Sequence, residues 1–69
     1  MVEVFKTNVQ QSDEAKMLVE KLAEHFPAHA INFDLSDCDR ILRVQGNDIA
    51  EEKIIDIVSS FNYHCEILE

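Results

Sequence analysis

The stretch His29–Gln45, HAINFDLSDCDRILRVQ, decides the fold. Its first half alternates, with His29, Ile31, Phe33 and Leu35 on one side and Ala30, Asn32 and Asp34 on the other. That period of two is the signature of a half-buried strand. Arg40 to Gln45 alternates again and sets Leu42 and Val44 against Ile41, Arg43 and Gln45. Between them, Ser36-Asp37-Cys38-Asp39 is short and rich in turn-forming side chains, which predicts an antiparallel hairpin.

Outward from the hairpin the apolar period changes. On the N-terminal side, Ala15, Leu18, Val19, Leu22 and Phe26 recur at helical spacing, with Ser12 as expected N-cap, Asp13 and Glu14 in the first turn, and Pro27 as the stop. Val2 to Thr7 reads as a strand before it, with Val2 and Val4 on one side and Phe5 on the other, so either face could be inward. On the C-terminal side, Gly46-Asn47-Asp48 ends the hairpin, and Asp48 with Glu51 has capping-box spacing. A second helix is expected to turn Ala50, Ile54, Ile57, Val58 and Phe61 inward, and Tyr63 to Leu68 reads as a last strand with Tyr63, Cys65 and Ile67 on one face.

Strand, helix, strand, strand, helix, strand is the order of a ferredoxin-like α+β sandwich, two helices on one face of a four-stranded antiparallel sheet. Right-handed crossovers then bring three connections to one end of the sheet, here termed the loop pole: Asn8 to Ser12, Ser36 to Asp39, and Phe61 to Tyr63. With 69 residues, one Gly and one Pro, a single domain spanning 1–69 with no linker or repeat is expected.

Six Lys and Arg against 14 Asp and Glu give a net charge of −8, which repels nucleic acid and anionic membrane and favours a basic protein surface as partner. The N-terminal Met-Val-Glu-Val-Phe lacks the pattern of a signal peptide and no apolar run reaches membrane-span length, so a cytoplasmic location is expected. Cys38 and Cys65 are expected as free thiols without a shared metal, since a strand intervenes between their elements.

With the elements placed, the chain resembles the heavy-metal-associated domains. The resemblance covers nearly all of the chain and rests on Phe5, on Val9 where the family has the Met of Met-x-Cys-x-x-Cys, on Leu18 and Leu22, on Ile31 to Leu35, and on Phe61-Asn62-Tyr63. It implies the same sandwich and places the metal loop at the junction of the first strand and first helix. There this sequence departs from the family: Gln11 and Glu14 fall where the two cysteines belong. An amide and a carboxylate are hard ligands with little affinity for soft ions such as Cu(I), so the metal-carrier chemistry does not carry over.

Other chemistries fail for want of residues. An RNA-recognition sheet would carry basic and aromatic residues on its central strands, a cluster ferredoxin needs four cysteines per cluster, and a phosphate-cradling loop needs several glycines. No nucleophile sits with a base and an orienting group at readable spacing, so neither an enzyme nor a cofactor is expected. The leading expectation is a protein-interaction or regulatory module with a degenerate metal site, its interaction surface at Gln10, Gln11, Glu14, Cys38 and Tyr63. The alternative is a metal carrier with a rearranged site using Cys38 with Asp34, Asp37 and Asp39, although these lack the spacing of a calcium loop. Carboxylates on either side make Cys38 a poor nucleophile. His25, His29 and His64 form no metal-ligand pattern, beyond a surface ion between the first two. If Phe5 points inward, Val2, Val4, Ile41 and Leu68 share the open face of the sheet, where a homodimer could form.

Overall fold

A computed structural model describes residues 1–68. The elements are β1 (Val2–Thr7), α1 (Ser12–His25), β2 (Ala30–Asp34), β3 (Ile41–Gln45), α2 (Glu51–Ser60) and β4 (Cys65–Ile67). They build an antiparallel sheet in the order β2-β3-β1-β4 with both helices on one face, the ferredoxin-like arrangement the sequence predicts. Among the described residues, no helix is long and apolar enough to cross a membrane.

The ambiguity of β1 resolves on Phe5. It pairs with Leu42 of β3 and Ile67 of β4, and both Phe5 and Leu42 are fully buried. Side chains two apart share a face, so Thr7 also points toward the helices while Val2, Val4 and Lys6 take the open face. The main core is Phe5, Leu42, Val44 and Cys65 from the sheet against Leu22, Ile54 and Val58 from the helices. A second cluster at the loop pole joins Val9, Ala15 and Leu18, and Phe33 and Tyr63 pack against both.

Several boundaries differ from the expected ones. Helix α1 begins at Ser12 with Gln11 as its N-cap, and the Glu14 carboxylate reaches back to accept the Gln11 N–H at 3.0 Å. Helix α2 begins at Glu51 with Ala50 as its N-cap. Asp48 is no cap: its φ of 53° places it in a left-handed turn, a conformation that Asp tolerates better than most residues. Ala50 is accordingly exposed, not inward. Strand β4 begins two residues later than expected, after Asn62 at φ 70° has turned the chain. On the open face Ile41 is only 5% exposed, flanked across the sheet by Lys6 and Asp34. The exposed apolar surface there shrinks to Val2 and Leu68, beside Met1, at the end away from the loop pole.

That far end closes on the one glycine. A Cβ on Gly46 would lie 3.0 Å from Cγ of His29, so the imidazole occupies the space a side chain would need. The same ring lies 5.5 Å from Phe26, and both its nitrogens are buried without a hydrogen-bond partner.

The assignment of faces is tested by paired truncations. Leu42→Ala should cost about 2–5 kcal/mol in urea unfolding, as expected for a large residue deleted from a closed core, and Val4→Ala on the open face less than about 1.5 kcal/mol. Equal costs would contradict the inward placement of Leu42 and Phe5.

Candidate functional site

Thr7 ties the loop pole together. Its N–H donates to Asp39 O at 3.1 Å, its hydroxyl donates to Arg40 O at 2.6 Å, and the same oxygen accepts the Val9 N–H at 3.3 Å. A buried hydroxyl needs such partners, and here they fix the hairpin connection against the start of the β1–α1 loop. The third connection is held by Asn8, whose Oδ1 accepts the His64 N–H at 2.8 Å. Sequence reasoning missed both residues. The signal available was a polar pair, Thr7-Asn8, placed where a strand ends and side-chain-to-backbone bonds replace the ladder.

On this frame sit the residues singled out from the sequence. Glu14, in the first turn of α1, accepts the Tyr63 hydroxyl on Oε2 at 2.8 Å and the Gln11 N–H on Oε1 at 3.0 Å. Both carboxylate oxygens therefore have partners within the fold. The Tyr63 hydroxyl bond, followed by the Gln11 N–H, holds the Glu14 carboxyl below its ordinary 4.5, and the same bond raises the Tyr63 phenol above its ordinary 10.0. Gln10 is exposed, with its Nε2 3.4 Å from Asn8 O. Gln11, Glu14 and Tyr63 are thus brought together.

Cys38 stands apart from that group, at the tip of the hairpin connection, and is exposed. Ligand atoms of Asp37, Cys38 and Asp39 lie within 4.8 Å of one another. Asp37 Oδ1 already accepts the Asp39 N–H at 2.9 Å, and Asp39 Oδ1 lies 3.8 Å from Lys6 Nζ. Asp34 turns to Ser36, accepting its N–H at 3.2 Å and its hydroxyl, and that hydroxyl bond is the main cause that lowers the Asp34 carboxyl. These are the bonds of an acidic turn satisfying its own backbone.

Cys65 is a core residue. It pairs with Thr7 at the pole end of β4, nearer the pole than a strand starting at Tyr63 would place it, and β1 still separates β4 from the hairpin. Burial, followed by the charge on Glu66, pushes its thiol up to about 12. Both cysteines are free. The histidines are scattered: His25 Nδ1 lies 3.0 Å from Lys21 O, His29 is enclosed, and His64 Nε2 lies 3.3 Å from Glu66 Oε2.

A groove runs beside this pole, between α1 and the outer strand β2, with a volume of about 420 Å³ and a lining that includes Ser12, Ala15, Val19, Ile31 and Phe33.

Compared with models of protein families, with characterised proteins and with solved structures, the chain gives no match.

The Glu14–Tyr63 bond makes a pH-dependent contribution with a defined sign. Because the carboxyl is lowered on folding, its contribution is present above 4.5 and is lost as pH falls through the folded value; because the phenol is raised, the contribution is also lost above 10.0. Tyr63→Phe should move the Glu14 titration, followed by carboxyl-carbon NMR, upward toward 4.5, while the Asp34 titration stays in place. An unmoved Glu14 titration would show that the phenol is not its partner in solution.

Proposed function

We propose that this chain is a non-enzymatic, heavy-metal-associated-like module whose metal site is degenerate and whose role is protein interaction or regulation. The observation that carries the reading is the state of the two positions where that family has thiolates. At Glu14 both oxygens are engaged, one by Tyr63 and one by the Gln11 N–H, so the position closes a loop instead of offering ligand atoms. A carboxylate in this bridge and a neighbouring amide favour neither soft metals nor nucleophilic chemistry.

What remains at the pole is a framed, acidic surface. Asp13 and Glu14 open α1, Asp34 ends β2, and Asp37 and Asp39 lie in the hairpin connection, with Lys6 3.8 Å from Asp39 and Arg40 donating to Leu35 O, and the chain as a whole carries −8. A surface of that sign steers basic partners toward it and repels nucleic acid and acidic proteins. The reading therefore assigns the pole residues Gln10, Gln11, Glu14, Cys38 and Tyr63 to a contact with a basic protein in the cytoplasm. Retention on the immobilised domain should favour basic proteins and release them as salt rises, because the screening length falls from about 10 Å at 0.1 M to about 3 Å at 1 M. Retention of acidic proteins, or elution indifferent to salt, would overturn the reading.

One observation favours a second reading, a metal carrier with a rearranged site: the grouping of Asp37, Cys38 and Asp39 on the hairpin. Isothermal titration with Cu(I), Zn²⁺ and Ca²⁺ separates the two readings. The interaction module should show no tight one-to-one binding, whereas stoichiometric binding lost in Cys38→Ser would replace it with the carrier.

A further inference from the structure

Strand β2 is an open edge. It pairs with β3 on one side only, and outside that ladder no backbone hydrogen bond among the described residues engages residues 30–34. Alternate N–H and C=O groups of an edge strand face outward, so β2 presents a row of unpaired donors and acceptors. Proteins commonly protect such a row with lysine, proline or a bulge; Ala-Ile-Asn-Phe-Asp has neither lysine nor proline, and its register on β3 runs without interruption. The opposite edge, β4, is only three residues long and carries Glu66 beside His64.

The groove lies along this same edge. Ala15, Lys16 and Val19 form one wall, and Ile31, Phe33 and Leu35 the other. Ile31 and Phe33 face the helices but are only half-buried, whereas Val44 and Leu42, their partners on the next strand, are fully buried. The inner face of the sheet is thus unfinished by the width of one strand. An added strand would pair with the free backbone and seat its inward side chains in the apolar groove.

Charge selects the occupant. A second copy of the chain would bring another −8 to the edge, and like charges oppose that pairing. A segment with apolar side chains on one face and lysine or arginine on the other sets the first in the groove, where Lys16 is the one charged lining residue. The second lies along the outer face of β2, where Asp34 is its near carboxylate, Arg43 stands across from Asn32, and the field is that of a chain carrying −8. At about 3.3 Å per residue, the five residues of β2 match a segment of similar length.

We propose that the β2 edge and the adjoining groove take up a short, extended basic segment of a partner protein as a fifth strand. This rests on the interaction-module reading and names a surface and binding mode for it. Strand addition of this kind draws affinity from main-chain hydrogen bonds and selectivity from pockets for alternate side chains.

The test uses a blocked peptide, Lys-Val-Lys-Val-Lys-Val-Lys, titrated into the full chain labelled with ¹⁵N. The largest amide shifts should fall on residues 30–34 and on Ser12 to Val19. Two versions N-methylated at alternate residues should differ, one binding like the parent and the other weaker by about tenfold or more, since only one set of amides faces the edge. The glutamate counterpart of the peptide should be weaker by a similar factor, and so should the parent peptide on Val19→Arg. The methylated peptides leave the protein unaltered, so a misfolded variant does not blunt the test. Shifts confined to Gln11, Glu14 and Tyr63 would overturn the edge site and keep the interaction reading. Equal binding of both methylated peptides would overturn strand addition, and no shift with any basic peptide would count against both.

Discussion

The register of β1 on β3 is the constraint from which the rest of the structure follows. Side chains along a strand alternate strictly, so the pairing of Phe5 with Leu42 commits every residue of both strands to a face. A slip of one residue would turn one strand over against the other, sending Phe5 to solvent and Lys6 under the helices, or Leu42 to solvent and Arg43 under them. Burying those cations unpaired costs far more than a small domain's margin of stability. With Phe5 inward, Thr7 also falls inward at the end of the strand, where its hydroxyl reaches the hairpin connection. The geometry of the loop pole is therefore downstream of a hydrophobic choice made two residues earlier.

The pole shows how a small domain arranges polar groups over its core. Val9 is fully buried beneath it with Ala15 and Leu18, and half-buried Phe61 and Tyr63 cover that cluster from the other connection. Tyr63 serves both sides, its ring against the apolar cluster and its hydroxyl on Glu14. An aromatic body with a polar tip suits that boundary. The bond spans 49 positions in sequence and joins the first turn of α1 to the chain that enters β4. Glu14 is, in this chain, a strut.

The order of elements was legible in the sequence because their apolar periods are clean: two in 29–45 and three to four in both helices. The caps were not, and the reason is local competition. Ser12 and Asp48 are both good N-cap residues, yet Gln11 takes the first position because Glu14 is free to reach back to its N–H, and Asp48 is occupied by a left-handed turn. The start of β4 was misread because Tyr63 has a strand's composition but turns toward Glu14. Ile41 lies on the open face as its alternation predicts, but it is buried there between Lys6 and Asp34, and the pattern of a single strand does not show how far neighbouring strands enclose a residue. Of the candidate site, Gln11, Glu14 and Tyr63 could be named in advance from the resemblance; Thr7 and Asn8, which hold the loops in place, could not, since their partners lie 33 and 56 positions away.

The contact between His29 and Gly46 bears on which sequences this fold can accept. Position 46 holds glycine on two separate grounds: the imidazole lies 3.0 Å from where a Cβ would stand, and the φ of 159° strains any side chain there whatever the space. A smaller residue at 29 would relieve the first and leave the second. The far end of the fold therefore accepts change at 29 more readily than at 46.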